Sequence, residues 1–103
     1  GFSQGGTTIW RWIHERRPDF DAFINYAGWM PEDIQLSILK SYLRDKKLFF
    51  VHGSEDEYLT EDRIEAFNRV VENSTLDISM HQTKGTHRVD REVLRSLYFQ
   101  NIQ

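Results

Sequence analysis

Residues 47–53 read Lys-Leu-Phe-Phe-Val-His-Gly, and this stretch decides the fold. Four apolar residues follow one another from Leu48 to Val51. A continuous apolar run of this length is typical of a strand that is covered on both faces, as in a parallel sheet. The segment therefore predicts a buried strand over Lys47–Gly53.

Two further segments, one on each side of this run along the chain, also predict strands. Asp21–Gly28 (DAFINYAG) is a short apolar run that ends at a glycine, which indicates a buried strand. Leu76–Thr83 (LDISMHQT) alternates apolar and polar residues, a pattern typical of a strand nearer the edge of a sheet. The sequence thus predicts three strands.

Longer amphipathic stretches separate these strands. The predicted helices run from Thr7 to Arg17 with Pro18 as the stop, from Pro31 to about Leu43, from a Thr60 N-cap onward, and from an Asp90 N-cap onward. In the second helix, Glu32 and Asp33 are expected in the positive first turn. Alternating helices and strands imply βαβ crossovers, so the sequence predicts an α/β fold whose parallel sheet is flanked by helices.

Composition excludes several classes of protein. The 103 residues carry 13 Lys and Arg against 16 Asp and Glu, a net charge of −3, which argues against a nucleic-acid-binding surface. No uncharged run is long enough for a membrane span. Without cysteine, a disulfide scaffold, a thiolate nucleophile and cysteine metal sites are excluded, while the compartment stays open, with the cytoplasm favoured. We expect one α/β domain, or part of one, over residues 1–103.

The first five residues, Gly1-Phe2-Ser3-Gln4-Gly5, fit the pattern G-x-S-x-G. In a nucleophile elbow this pattern holds a serine on a tight strand-to-helix turn, where small neighbours allow close backbone approach. The pentapeptide alone is a weak signal, because glycine and serine are common in any flexible segment. The amphipathic helix that begins directly after it supplies the context that the pattern requires.

A nucleophilic serine also needs a base, and the base needs a carboxylate that orients it. Asp56 follows the strand Lys47–Gly53, and His87 follows the strand Leu76–Thr83, so the order is serine, acid, histidine. Because the carboxyl ends of parallel strands share one edge of the sheet, we expect these side chains to converge with Ser3. The neighbouring Glu55 and Glu57 leave the choice of orienting carboxylate open.

Four segments together resemble the α/β-hydrolase superfamily, in particular the C-terminal half of its carboxylesterase and acyl-protein thioesterase branch. They are Gly1-Phe2-Ser3-Gln4-Gly5-Gly6, Ala27-Gly28-Trp29-Met30-Pro31, His52-Gly53-x-x-Asp56 and the base at His87. The resemblance covers essentially the whole chain. The branch commonly has Gly-His at the base, whereas this chain has Thr86-His87 with Gly85 one place earlier.

The resemblance implies a role for each matching residue. Ser3 would be the nucleophile, His87 the general base and acid, and Asp56 its orienting partner. The amide N–H of Gln4 would be one donor of the oxyanion hole. Trp29 and Met30 would lie at the mouth of the site and either line an acyl pocket or pack in the core.

The implied activity is that of a serine hydrolase, which cleaves a small-molecule carboxylic ester or thioester through an acyl-enzyme without cofactor or metal. A peptidase or lactonase on the same scaffold, or a non-catalytic module with this fold, remains an alternative. The other histidines lack partners at ligand spacing, so we expect no metal site.

We also expect a longer native protein. Only two residues precede Ser3, although an elbow serine needs a strand that leads into it. The strand Asp21–Gly28 would keep an unpaired edge, which is a template for association, and a homo-oligomer stays open. We therefore expect roughly 100 further residues upstream, the N-terminal half of a domain of ordinary size.

Overall fold

Three parallel strands, in the order β1-β2-β3, form the sheet. A computed structural model describes residues 1–102. Its elements, in chain order, are α1 (Gln4–Arg16), β1 (Ala22–Tyr26), a 3-10 turn (Leu36–Leu39) leading into α2 (Lys40–Leu43), β2 (Lys47–Gly53), α3 (Glu61–Ser74), β3 (Ile78–Thr83), α4 (Arg91–Leu97) and a π-helical turn (Tyr98–Ile102). The α/β fold that the sequence predicts is confirmed.

The central strand β2 is buried along nearly its whole length, and different helices cover the two faces of the sheet. On one face the ring of Phe50 stacks on Phe67 of α3 at 4.3 Å, and Trp10 of α1 meets Phe23 of β1 at 5.3 Å. Because side chains alternate along a strand, Tyr26 points to the other face. There its hydroxyl accepts the backbone N–H of Asp90, just before α4.

Residues 1–3 run beside the end of β1 and continue directly into α1. Phe2 forms a parallel bridge with Tyr26. The Tyr26 N–H donates to the carbonyl of Gly1 at 2.8 Å, and the Ser3 N–H donates to the carbonyl of Tyr26 at 2.9 Å. The outer edge of β1 is therefore paired at its carboxyl end, next to the turn that carries Ser3.

The prediction of a helix from Pro31 to Leu43 is wrong in its first half. Gln35 has an extended backbone (φ −107°, ψ 101°), so helical structure begins only at Leu36. Leu36 and Leu39 are both buried, and their spacing of three residues matches the period of a 3-10 turn. Asp33 instead forms an exposed ion pair with Arg11 of α1.

The other predicted boundaries shift by a few residues. Helix α1 starts at Gln4, and β1 ends at Tyr26 because Ala27 adopts a left-handed conformation (φ 58°). Asp90 caps α4 by accepting two backbone N–H groups, whereas Thr60 stands at the N-cap of α3 without a side-chain hydrogen bond. None of the helices formed by residues 1–102 is both long and apolar enough to cross a membrane.

Candidate active site

Ser3 lies on the sharp turn between Phe2, which forms the bridge with Tyr26 of β1, and the first turn of α1. Its backbone angles (φ 56°, ψ −125°) are unusual for a residue other than glycine. Such a conformation costs about 1–3 kcal/mol and persists only where the surrounding structure enforces it. The Ser3 N–H is fixed by the Tyr26 carbonyl and the Ser3 carbonyl by the Gly6 N–H, so the turn is held on both sides.

His87 connects the serine to a carboxylate. Its Nε2 lies 2.8 Å from Ser3 Oγ, and its Nδ1 lies 2.7 Å from Asp56 Oδ2. The rings of Phe2 and Tyr58 pack near the imidazole, with centroid separations of 5.0 and 4.8 Å. The three side chains that the sequence places at one sheet edge thus form a continuous hydrogen-bonded chain.

Asp56 is buried and fully hydrogen-bonded. Its side chain has no exposed area, and Oδ1 accepts the backbone N–H groups of Tyr58 at 2.8 Å and Leu59 at 3.0 Å. Burial by itself raises the pKa of Asp56, but the hydrogen bonds from His87 and from the two amides outweigh it, so the pKa lies below its ordinary value. The carboxyl group is therefore ionised at neutral pH and can stabilise a positive charge on His87.

The two neighbouring carboxylates do not reach His87. Glu55 and Glu57 are exposed, and among the hydrogen bonds of residues 1–102 neither side chain contacts the imidazole. The backbone N–H of Asp56 donates to the carbonyl of Gly53 and so forms a turn. In this turn the side chain of Asp56, and not that of Glu55 or Glu57, is directed towards His87.

The loops that carry Asp56 and His87 are bound to each other. The Ser54 N–H donates to the Thr83 carbonyl at 2.8 Å, and the Glu55 N–H donates to the Gly85 carbonyl at 2.9 Å. A Cβ atom at Gly53 would stand only 2.1 Å from the carbonyl oxygen of Gly85. Glycine at position 53 is thus required for this close approach, and Gly85, one place earlier than in the related pattern, takes part in it.

The turn after β1 forms another wall of the site. The buried Asn25 side chain accepts the Gly28 N–H at 2.9 Å and donates to the Gly28 carbonyl at 3.0 Å. Thr7 of α1 donates its hydroxyl to the carbonyl of Trp29. These contacts hold Ala27 and Trp29 beside Ser3. The role of Asn25 was not predicted from the sequence, in which it is marked only as a polar residue inside an apolar run.

An open cleft of about 430 Å³ surrounds Ser3 and His87. Its lining consists of Ser3, Gln4, Thr7, Ala27, Trp29, Tyr58, Leu59, Arg63 and His87. In the described part of the chain no carbonyl accepts the Gln4 N–H, as is normal for the first amide groups of a helix. This donor is therefore available at the positive end of α1, next to Ser3.

Trp29 and Met30 occupy different positions. Trp29 lines the cleft that contains Ser3, whereas Met30 is 5% exposed and does not line that cleft. Both residues line an adjoining groove of about 450 Å³ between the turn after β1 and α3, whose far wall includes Phe67 and Val70. Tyr58 and Arg63 also line the cleft that contains Ser3. The sequence did not predict this, because the positions of both residues depend on the path of the loop after Asp56.

Residues 1–93 match the sequence model of the family described as serine hydrolase (FSH1). The chain belongs to this serine hydrolase family. The α/β-hydrolase resemblance found in the sequence is thereby confirmed at the level of the family. No curated protein matches the chain. Among residues 1–102, no cluster of three or more histidine, aspartate and glutamate side chains could hold a metal ion.

Among solved structures, the chain is similar to a ferulic acid esterase, with a TM-score of 0.64 and 20% sequence identity. The similarity covers 97% of this chain and 47% of the esterase, so the chain spans about half the length of that protein. At this level of identity the likeness establishes the shared fold.

Proposed function

We propose that this serine hydrolase cleaves carboxylic esters or thioesters through an acyl-enzyme formed on Ser3. The observation that supports the proposal is the hydrogen-bonded chain from Ser3 Oγ through His87 to Asp56, with contacts of 2.8 and 2.7 Å. With a proton on Nδ1 donated to the Asp56 carboxylate, Nε2 is free to accept the proton of the serine hydroxyl. This is the arrangement that a nucleophilic serine requires.

In the proposed mechanism Ser3 Oγ attacks the carbonyl carbon of the substrate while His87 takes the hydroxyl proton. The ionised Asp56 stabilises the imidazolium that results. The tetrahedral intermediate collapses when His87 returns the proton to the leaving alcohol or thiol. Water then attacks the acyl-Ser3 ester while His87 takes one of its protons. His87 gives that proton to Ser3 Oγ as the carboxylic acid leaves, which regenerates the serine hydroxyl.

The negative charge on the carbonyl oxygen of the intermediate needs hydrogen-bond donors. The backbone N–H of Gln4 is a suitable donor, because it has no protein acceptor in the described part of the chain and lies at the N-terminus of α1. A single donor of this kind is worth about 10²–10³ in kcat. We assign Gln4 this role in the mechanism.

We assign the acyl group of the substrate to the side of the cleft formed by Trp29. The groove beyond Trp29 is lined largely by apolar side chains, including Met30, Phe67 and Val70, and suits an alkyl or aryl chain. Substitution of Trp29 by Ala should therefore change the preference for acyl chain length more than the rate on acetyl esters.

Labelling with a fluorophosphonate probe tests the proposal directly. We expect stoichiometric modification at Ser3, located by peptide mass spectrometry, and none in the Ser3→Ala protein. A folded protein that is not labelled and hydrolyses no ester or thioester would be a non-catalytic module. A panel of esters, thioesters, lactones and peptides then separates the esterase from the peptidase and lactonase alternatives.

A further inference from the structure

The cleft around Ser3 contains one permanently charged side chain, that of Arg63 in the first turn of α3. The cleft is otherwise lined by apolar and neutral polar groups, apart from His87 itself. An arginine in the wall of a catalytic cleft is in a position to contact the substrate rather than only the solvent.

The guanidinium of Arg63 is oriented by the backbone and is not neutralised. Its Nη1 donates to the carbonyl of Tyr58 at 2.8 Å. None of the carboxylates among residues 1–102, including those of the adjacent Glu61 and Asp62, lies within 4.0 Å of it. An arginine side chain has five N–H donors, so most of them remain available to an incoming group.

Tyr58 connects this guanidinium to the reactive groups. The backbone N–H of Tyr58 donates to Asp56, its ring packs on His87, and its carbonyl accepts Arg63. Tyr58 thus contacts both the imidazole of His87 and the guanidinium of Arg63, and the Arg63 side chain is itself exposed to solvent.

We infer that Arg63 is a specificity-determining residue that binds an anionic group of the substrate, so that esters with a carboxylate near the scissile bond are preferred over neutral esters. A planar guanidinium matches a carboxylate in a fork of two parallel hydrogen bonds. The inference rests on the proposed esterase function and adds the class of substrate to it.

Matched pairs of esters test the inference in the intact protein. For the acyl side, ethyl butyrate is compared with monoethyl succinate, which replaces a terminal methyl by a carboxylate. For the leaving-group side, phenyl butyrate is compared with 4-carboxyphenyl butyrate. The measured quantity is the ratio of kcat/KM for the charged over the neutral member of each pair.

In Arg63→Gln we expect this ratio to fall by roughly 10- to 100-fold for one of the pairs, the size expected for a hydrogen bond to a charged group. The pair that responds shows on which side of the scissile bond the anion lies. Arg63→Lys should recover part of the ratio, since the charge remains but the fork is lost. Added salt should lower the wild-type preference and leave Arg63→Gln little affected.

Arg69→Gln is the matched control. Arg69 lies on the same helix, is exposed and pairs with Glu65, and it does not line the cleft. Its substitution removes one positive charge from α3 without touching the site, so both ratios should equal those of the wild type. Ratios that are unchanged in Arg63→Gln, or that fall equally in Arg69→Gln, would overturn the inference.

A binding measurement separates this inference from the esterase proposal. In a Ser3→Ala background, which cannot form an acyl-enzyme, the dissociation constant of the succinate half-ester is measured by calorimetry. A further Arg63→Gln substitution should raise it by roughly 10-fold or more. If the wild type cleaves no ester, the proposed function fails while this comparison still decides whether Arg63 binds the anion.

Discussion

The imidazole of His87 is restrained by two hydrogen bonds and by two neighbouring aromatic rings. Its two nitrogens bond to Ser3 and Asp56, and the rings of Phe2 and Tyr58 pack around it. A ring held in this way needs little reorganisation when a proton moves, which is the condition for efficient electrostatic and acid–base catalysis. Loss of any one of these contacts should therefore lower kcat.

Replacement of Ser3 or His87 by Ala should each lower kcat by roughly 10⁶, because the members of such a chain act as a unit. The double variant should be no slower than either single variant for the same reason. Steady-state kinetics with an activated ester measures the rate, and circular dichroism establishes that each variant is folded. If the reduction in kcat of the double variant equalled the product of the reductions in the two single variants, the two residues would not act as a unit.

Substitution of Asp56 by Asn should lower kcat by roughly 10⁴, since an amide at this position favours the wrong tautomer of the histidine. Glu55→Gln and Glu57→Gln serve as controls that remove the same charge from exposed positions, and both should stay near wild type. If one of the glutamate variants loses activity while Asp56→Asn does not, the orienting carboxylate is assigned to the wrong residue.

The sequence could predict that Ser3, Asp56 and His87 approach one another, because each follows a recognisable strand or turn and parallel strands end at one edge. It could not predict the contribution of Arg63 or Tyr58. These residues reach the cleft through the path of the loop after Asp56, and that path depends on hydrogen bonds between loops that leave no periodic pattern in the sequence.

At the scale of elements, the site depends on how closely the ends of β2 and β3 approach. The loops that leave these strands share hydrogen bonds from Ser54 to Thr83 and from Glu55 to Gly85. The strands themselves were predictable from their apolar runs. The segment before α2 was not predictable. Its first residues, Pro31 to Asp33, favour the start of a helix, but Gln35 is extended and the burial of Leu36 and Leu39 sets where helical structure begins.

Substitution of Gly53 by Ala should displace the loop that carries His87, because the added methyl group would collide with the carbonyl oxygen of Gly85. Backbone atoms cannot turn aside as a flexible side chain can, so we expect a loss of at least 10² in kcat, of the order expected for a 1 Å misplacement. Kinetics and thermal unfolding are measured together on the same preparation.

Gly5→Ala is the matched control for this substitution. A Cβ at Gly5 meets no atom within 4 Å, and the residue lies within α1. Because the added methyl group would meet open space, Gly5→Ala should leave both kcat and Tm near those of the wild type. A Gly53→Ala protein with wild-type kcat would show that the two loops can separate without consequence for the site.

For the molecule as a whole, one buried histidine makes stability depend on pH. Burial lowers the pKa of His52, although the backbone hydrogen bond at Gly53 and the charge of Asp56 act in the opposite direction. In the unfolded chain this group titrates near its ordinary value of 6.5. As pH falls below that value, the unfolded chain takes up a proton that the folded protein does not, so the free energy of unfolding decreases.

In His52→Gln this part of the pH dependence should disappear. The slope of unfolding free energy against pH, measured by urea denaturation between about pH 7.5 and 5.5, should become shallower by up to about 1.4 kcal/mol per pH unit. Above that window the slopes of the two proteins should coincide. Equal slopes throughout would mean that the folded protein protonates His52 as readily as the unfolded chain does.

Asp56 acts in a separate and more acidic window. Its pKa is lower in the folded protein than the ordinary value of 3.8, so its contribution to stability is complete above that value and is lost as pH falls below it. Asp56→Asn should remove this acid-induced loss while leaving the histidine-dependent window in place. The same urea titrations, extended to about pH 2.5, measure both effects.

Ser3 and His87 are 84 positions apart in the chain, yet their side chains are hydrogen-bonded. No local stretch of polypeptide can bring them together, and contacts of such large separation form only once the intervening sheet has assembled. Reactivity towards an electrophilic probe should therefore appear with the last cooperative step of refolding. After dilution from denaturant, the rate at which Ser3 regains its reactivity towards a fluorophosphonate would then measure the rate of complete folding.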